Sequence, residues 1–579
     1  MEHFSNAYIA KILREMSVLY EISGIEFKPR AYEKAALSLE SLNEEAYNLY
    51  KQKGTKALDE IPGVGAGIAR HIEELLKTGH FKEYDRLKKK LPVQIDELVS
   101  VEGVGPQTIK VLWNKLKIKN IAGLEKAARD GKIRSLPHFG KLREEKILKG
   151  IAFAKKTSGR KILGYTLPEI RSIEEIIKRF PETDTVAIAG SIRRKKETIG
   201  DIDILVTSKN PKKIMNRFVM LPFVAHIYAK GETKTNVRLK SGIDADLRVV
   251  PRESWGAALN YFTGSKAHNV HLREMALKRG WKLNEYGLWK GKKIIAGKTE
   301  DELYKKLGLR YIEPELREMT GEIEAARANN LPDLIQYGDL KGDLQIQTNW
   351  TDGKDSIEEM ARAARAAGLR YIAITDHTKT LAVTKGTDEK KLLRQMKEIE
   401  KVNAKLKRQK SEFRVLTGAE VNIMKDGSLD IEDDVLEKLG VVGASVHSHF
   451  DLSREEQTKR VIRAMENKNV DMIFHLTTRI IERRKPIEVD IDAVIEAARK
   501  TRTILEINAS PDRLDIPDEY IRKCVEAGVK MCINSDAHAK EHFKFLEFGI
   551  AQARRGWAEK KDIVNTLPLE KFLKTLKHR

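Results

Sequence analysis

At 579 residues the chain exceeds what one hydrophobic core can organise, so three or four domains are expected. Its formal charge of +22 points to a polyanionic partner. Two cysteines, Cys524 and Cys532, exclude a disulfide framework and fit no zinc spacing, so they read as buried thiols in a reducing cytoplasm. No stretch approaches the ~20 apolar residues of a membrane span, and no apolar run follows a basic start at the N-terminus. A cytoplasmic protein without a membrane partner is expected.

The first 50 residues read as amphipathic helices, with Ile9, Ile12, Met16 and Leu19 on one face. Ile61-Pro62-Gly63-Val64-Gly65 then leads into a helix from Ala66 to Leu76. Val101-Glu102-Gly103-Val104-Gly105-Pro106 repeats the pattern and starts a helix near Gln107. Leu136-Pro137-His138-Phe139-Gly140 is a degenerate third copy. Turns with two glycines expose backbone N–H groups at a helix N-terminus, where they hold a DNA phosphate without reading sequence. The recurrence favours helix-hairpin-helix DNA binding through Gly63, Gly65, Gly103 and Gly105 over simple helix caps.

Arg160 to Gly164 reads as a linker into a helix over Leu167–Phe180. Next, Val186-Ala187-Ile188-Ala189 is β-prone and runs into Gly190-Ser191-Ile192-Arg193-Arg194, closed by Asp201-Ile202-Asp203. Gly190 and Ser191 fall in a strand-to-helix turn able to face a phosphate. Asp201 and Asp203 point to one face of a second strand, and their repulsion calls for a cation such as Mg²⁺. A neighbouring strand, Ile243 to Pro251, offers a third carboxylate, but Asp244 and Asp246 share a face and spacing does not choose between them. Tyr261-Phe262-Thr263-Gly264-Ser265 precedes a basic cluster from Lys266 to Arg273.

These motifs together resemble the palm and thumb of family X DNA polymerases. The resemblance spans roughly residues 1–315, and it settles the third carboxylate as Asp246, the one followed by Arg248 and Pro251. It implies a catalytic trio, Asp201, Asp203 and Asp246, holding Mg²⁺ or Mn²⁺. It implies a nucleotide site of Gly190, Ser191, Arg194, Tyr261, Phe262, Gly264 and Asn269, with Arg273 on the template strand. The partners implied are deoxynucleoside triphosphates and gapped or primed duplex DNA, the role gap filling in base excision repair, and the working form a monomer. One departure stands out. The positions of the family's lyase lysines carry Gly67 and His71, and an imidazole cannot form the Schiff base that excises a 5′-deoxyribose phosphate. Lyase activity is expected to be weak or absent, with Lys28 and Lys34 the upstream amines left to substitute.

Arg317 to Pro332 reads as a helical linker. Beyond it strands and helices alternate: Tyr371–Thr375, Val415–Glu420, Val441–Val446, Met472–Phe474, Ile504–Ile507 and Lys530–Ile533. The alternation suggests a βα barrel with its functional groups at the C-terminal strand ends. There stand Asp376-His377, Glu420, His447 and His449, His475, Asn508, and Asp536 with His538, a set suited to Zn²⁺, Mn²⁺ or Fe.

This half resembles the polymerase-and-histidinol-phosphatase (PHP) domain found behind bacterial and archaeal family X polymerases. The resemblance implies a trinuclear phosphoesterase site with 3′→5′ exonuclease activity and a ligand set of Asp352, His377, Glu420, His447, His475, Asp536 and His538, holding Zn²⁺ or Mn²⁺. The family opens on Asp-x-His-x-His, whereas this chain has Asp343-Leu344-Gln345-Ile346-Gln347. A neutral amide is a poor ligand beside imidazole, so at least one metal position is expected to be weak or empty. Nuclease activity should be reduced or absent, leaving the domain mainly a scaffold or DNA-binding platform.

The fold class expected is multidomain: a helical helix-hairpin-helix region, an α+β nucleotidyltransferase palm and thumb, and a C-terminal α/β domain built as a distorted βα barrel. The divisions expected are 1–90 and 91–160 (helical), 161–250 (palm), 251–316 (thumb), 317–338 (linker) and 339–579 (PHP). Two alternatives compete with the polymerase reading: a phosphoesterase acting on DNA ends through the barrel, and a non-catalytic DNA-binding adaptor. Three intact palm carboxylates beside two missing barrel histidines speak against both.

Overall fold

The computed structural model describes all residues except 1–3, 5, 41, 43–44, 62, 102, 138, 158, 382–383 and 578–579. Pro62, Glu102 and His138, members of the three glycine hairpins, lie outside the described residues. The chain forms two compact units, residues 1–311 with 482–484, and residues 312–481 with 485–579.

The first unit opens with α1 (Asn6–Ile22) and α2 (Lys28–Glu40), an antiparallel pair. Ile9, Ile12, Met16 and Leu19 are buried, as their helical spacing requires. Each glycine hairpin ends in a helix: α3 (Ala66–Thr78), α4 (Pro106–Leu116) and α5 (Gly140–Thr157). The Val64 N–H donates to the Ile61 carbonyl and the Val104 N–H to that of Val101, both at 3.0 Å. Phe139 makes the same bond to Leu136 at 3.1 Å, so the third copy keeps the turn although its glycine count has fallen. Gly63 (φ +75°) and Gly103 (φ +84°) occupy the left-handed region, which explains glycine there.

The stretch read as a linker at Arg160–Gly164 is in part a strand. Lys161–Ile162 pairs antiparallel with Thr198–Ile199, and α6 (Leu163–Lys178) starts before the expected Leu167 with Pro168 inside it. The palm is a five-stranded mixed sheet of β1 (Thr185–Ile188), β2 (Asp201–Thr207), β3 (Val224–Lys230), β4 (Lys234–Leu239) and β5 (Asp244–Val250), in the order β1-β2-β5-β4-β3. Strands β2 and β5 run parallel, the other neighbours antiparallel. The short α7 (Gly190–Arg193) follows β1. The thumb supplies α8 (Trp255–Thr263), α9 (Lys266–Leu277) and a three-stranded sheet over residues 281–296.

The second unit is a run of seven parallel strands paired in sequence order: β6 (Gly342–Asp343), β7 (Tyr371–Ile374), β8 (Arg414–Asn422), β9 (Val441–Ser445), β10 (Met472–Ile473), β11 (Ile504–Asn508) and β12 (Met531–Asn534). Most of these strands are buried along their whole length, as both-faced burial in a parallel sheet demands. The sheet nearly closes: Asn565 Nδ2 donates to the Gly342 carbonyl at 2.8 Å and to that of Ile533 at 2.6 Å, linking the first and last strands. Residues 317–338 hold one short helix, Glu322–Arg327, and the Arg317 and Glu322 side chains are fully buried within this unit. No helix among the described residues is long and apolar enough to cross a membrane.

Candidate functional sites: palm carboxylates and barrel rim

Parallel pairing places Asp201 opposite Asp244 and Asp203 opposite Asp246. All four side chains lie on one face, since the alternate residues Ile202, Ile204, Ala245 and Leu247 fill the core. A cavity of about 620 Å³ opens over Asp201, Asp244 and Asp246, lined also by Ser191, Arg194 and Asn236. Burial, with the charges of Asp201 and Asp246 adding to it, pushes the Asp203 carboxyl up to about 7. Asp201 is also raised, by burial and then by Asp246. Like charges crowded on one face, with only hard oxygen donors, fit divalent cations of the Mg²⁺ kind.

Gly190 (φ +63°) abuts this cluster. A Cβ there would stand 2.4 Å from Asp203 Oδ2, so glycine is required for the carboxylate to occupy its place. The two arginines divide. Arg193 is tied to Glu300 by a two-pronged ion pair (2.9 and 2.6 Å) and to the Thr263 hydroxyl, which fixes the palm against the thumb. Arg194 lines the cavity and donates to the Thr263 carbonyl. At Gly264 a Cβ would come within 3.0 Å of Arg194 Nη1. Tyr261 is exposed, whereas Phe262 is half-buried against Ala189, Leu205 and Ala258, under the Arg248 guanidinium at 4.6 Å. Asn269 Nδ2 donates to the Tyr261 carbonyl at 2.6 Å, and Arg273 is half-buried on the same helix α9.

Several residues beside the carboxylates, Asn236 of the cavity lining among them, were not singled out from the sequence. Asn236 donates to Asp246, Lys234 Nζ lies 3.9 Å from the same carboxylate, and Arg238 Nε stands 3.0 Å from Asp244. The signal was present: Lys234, Asn236 and Arg238 alternate with buried Thr235, Val237 and Leu239, a two-residue period that marks one polar face of β4.

At the barrel rim the groups gather as the strand ends predicted. Glu420 is fully buried, with His475 Nε2 at 2.9 Å and His447 Nε2 at 3.2 Å from Oε1 and His377 Nδ1 at 3.4 Å from Oε2. Burial opposes its ionisation, but the three imidazoles, His377 foremost, hold it well below the carboxylate range. Asp352 Oδ2 lies 3.6 Å from His538 Nε2 and 3.7 Å from His377 Nε2. Against the cost of burial, this pairing lowers Asp352 to about 2 and raises His538 to about 10. Two groups of ligand atoms thus converge, Asp352/His377/His538 and His377/Glu420/His447. Asp536 is buried beside Arg513 Nε at 3.5 Å.

Five rim candidates fall outside these two groups: His475 and Asp536, which lie beside them, and His449, Asp376 and Asn508. His449 is exposed. Asp376 is consumed structurally, accepting from the Thr348 N–H and hydroxyl, the Thr351 hydroxyl and Gln395. Asn508 donates to Gln345 and lies within reach of Asp536. In the first unit, His71 is half-buried, its Nδ1 2.6 Å from the Tyr32 hydroxyl.

Fold and sites together define a nucleotidyltransferase with a β-polymerase-type palm, joined to a barrel whose rim gathers candidate metal ligands. Comparison with known proteins agrees region by region. Profiles match for a helix-hairpin-helix domain (residues 4–81), the DNA polymerase beta palm (169–246), the DNA polymerase beta thumb (258–318) and the PHP domain (343–564). The chain is 37% identical to the DNA polymerase/3′-5′ exonuclease PolX of Bacillus subtilis, over 98% of this chain and 99% of that protein. DNA polymerase lambda of Rattus norvegicus is 24% identical over 54% of this chain and 56% of its own length. A probable phosphatase of Thermoanaerobacter sp. is 33% identical over 32% of this chain and 72% of its own. The chain belongs to the family X DNA polymerases that carry a C-terminal PHP domain.

Proposed function

We propose that this chain is a template-directed DNA polymerase that fills short gaps by nucleotidyl transfer from deoxynucleoside triphosphates. The observation that carries the reading is the register of β2 on β5, which sets Asp203 beside Asp246 with Asp201 on the same face. Asp201, Asp203 and Asp246 hold Mg²⁺ or Mn²⁺, which when bound lower the pKa of the primer 3′-OH and offset charge on the departing pyrophosphate. Ser191 and Arg194 receive the β- and γ-phosphates, with the Arg194 fork offsetting charge that grows in the transition state. Gly264 lets backbone approach the sugar, Tyr261 packs on the nucleotide, and Phe262 supports that face from beneath. Asn269 fixes the Tyr261 backbone and Arg273 contacts the template strand. Gly63, Gly65, Gly103 and Gly105 hold duplex phosphates on either side of the gap. The decisive assay is primer extension on a gapped duplex, with and without template bases. Incorporation should need the template and vanish in Asp246→Ala; extension by that variant would refute the reading.

The barrel carries a second, weaker activity, a Zn²⁺- or Mn²⁺-dependent phosphoesterase acting on DNA 3′ ends. It is supported by two ligand clusters that persist without the leading histidines. Hydrolysis slower than extension and lost in His447→Ala is expected; full loss of hydrolysis in the palm variant instead would place it elsewhere. Lyase activity is weak, because the imidazole of His71 offers no amine for an imine. Borohydride should trap the chain on a nicked abasic site only at background level.

A further inference from the structure

Glutamines 345 and 347 do more at the barrel rim than fail to bind metal. Gln347 Nε2 donates to Glu420 Oε2 at 2.6 Å, and Gln345 Nε2 donates to the same oxygen at 3.2 Å. Gln345 Oε1 accepts from Asn508 Nδ2 at 3.0 Å, and that amide lies 3.2 Å from Asp536 Oδ2. The guanidinium of Arg513 approaches Asp536 from another side at 3.5 Å. A closed path therefore runs from Glu420 through Gln345 and Asn508 to Asp536, with Gln345, Gln347, Glu420 and Asn508 all fully buried. A cation needs lone pairs aimed at it. Along this path N–H protons occupy the lone pairs of Glu420 Oε2, the second Asn508 proton is shared between Asp536 Oδ2 and Glu506 Oε2 at 3.2 Å each, and Arg513 brings positive charge beside Asp536.

The remaining ligand atoms face imidazoles and no side-chain amide, although Glu420 Oε1 also accepts from the Ser445 hydroxyl at 2.7 Å. Glu420 Oε1 stands 3.2 Å from His447 Nε2 and 2.9 Å from His475 Nε2. Asp352 Oδ2 stands 3.7 Å from His377 Nε2 and 3.6 Å from His538 Nε2. Ligand atoms each about 2.1 Å from a shared ion sit about 3.0–3.4 Å apart, close to these separations. His377 touches both clusters, its Nδ1 facing Glu420 and its Nε2 facing Asp352. His377 belongs to both converging groups; His475, outside them, stands at the same Glu420 oxygen as His447, so Glu420 keeps two imidazoles when His377 completes the Asp352 group.

We propose that the rim binds two divalent cations instead of three. One sits with Glu420, His447 and His475, the other with Asp352, His377 and His538. The Gln345–Gln347–Asn508 amide network with Arg513 takes the place of the third, doing with fixed N–H donors and one guanidinium what an ion does elsewhere. The inference rests on the barrel being a metal-dependent centre, yet it is read by counting ions and not by turnover.

The test uses the full chain with Asp201, Asp203 and Asp246 all changed to Asn, so that palm ions do not enter the count. The protein is loaded with Zn²⁺, desalted and measured by mass spectrometry of the metal. Two ions per chain are expected. His447→Ala and His538→Ala should each remove one, and Gln345→His with Gln347→His should raise the count to three. Three ions in the parent, or a loss of both ions from either single variant, would overturn the proposal. So would a count that stays at two in the double histidine variant while its circular dichroism matches the parent. Co²⁺ substitution gives a second reading, since each site should add its own increment of visible absorption up to two equivalents. Two bound ions with no detectable hydrolysis would defeat the phosphoesterase reading and leave this one standing.

Discussion

The palm and the barrel rim both collect carboxylates at strand ends, but they leave them in opposite electrostatic states. In the palm Asp203 is raised to about 7 by burial and by its acidic neighbours, and Arg248 and Arg194 offset only part of that repulsion. At the rim Glu420 and Asp352 are held low by imidazoles of the same chain, and Glu420 is further satisfied by two amides and the Ser445 hydroxyl at 2.7 Å. The first arrangement is a site strained toward incoming cations and triphosphate. The second is largely self-neutralised by internal pairing. A cluster of acids is therefore a weak guide to activity until its counter-charges are located.

The comparison breaks first at Asp246. Asp246→Ala should lower primer extension by at least about 10³-fold, measured as single-turnover incorporation, if Asp246 holds the ion that activates the primer hydroxyl as proposed. Its effect on ions held by the rim should be nil. Next in size, Glu420→Gln removes the one buried carboxylate facing three imidazoles and should destabilise the barrel by on the order of 3 kcal/mol in metal-free protein. A separate, earlier barrel transition in thermal unfolding would show it.

The two sites should also respond to pH with opposite sign once metal is chelated. Asp203 has a raised folded pKa, so the folded chain binds its proton more tightly than the unfolded chain does. Its contribution is most favourable below the ordinary value near 3.8 and is lost as pH rises through about 7. Glu420 is depressed, so its contribution is present above the ordinary 4.5 and is lost as pH falls through its lower folded value. Asp203→Asn should then raise the melting temperature of the polymerase unit at pH 8 by an amount worth about 1–2 kcal/mol, shrinking toward pH 4. Equal melting of variant and parent at pH 8 would show that the palm acids are not in conflict.

Much of this was readable from the sequence, because the signals are local. The strand carrying Asp201 and Asp203 and the paired glycine hairpins are set by alternation and by turn chemistry within a few residues. The choice between Asp244 and Asp246 was not local. It depends on which acid faces Asp203 across a parallel pair 43 positions away, and the sequence motif reached it only through resemblance. The polar face of β4 was missed because its residues, Lys234, Asn236 and Arg238, read as an ordinary solvated strand until β5 lies beside them. The strand at Lys161–Ile162 pairs with residues 198–199, and two residues carry no periodicity to detect. At the rim the two glutamines were legible as a loss, but their role as donors to Glu420 needs the barrel to bring β6 and β8 together. Asp376, read as a ligand candidate, turned out to be occupied by four hydrogen bonds from residues that no spacing connects to it.

The smallest effect concerns the hairpins and separates DNA binding from folding. Gly65 is the N-cap of α3 with φ −86°, and a Cβ there meets nothing within 4 Å, so Gly65→Glu costs no backbone strain and no clash. Gly105 before α4 is equivalent, with φ −86° and open space. A carboxylate at that position interacts favourably with the exposed helix N–H groups, so thermal stability should hold or rise by a few tenths of a kcal/mol. The same carboxylate occupies the place where a phosphate docks, so affinity for gapped duplex should fall about three- to tenfold per hairpin, with a shallower dependence on salt. Fluorescence anisotropy across a salt series measures both quantities. Gly63→Glu is the contrast, because φ +75° and the Lys34 side chain 2.9 Å from the new Cβ make that change costly for the fold itself. If Gly65→Glu loses stability and affinity together while Gly63→Glu loses neither, the hairpins are helix caps and the duplex is held elsewhere.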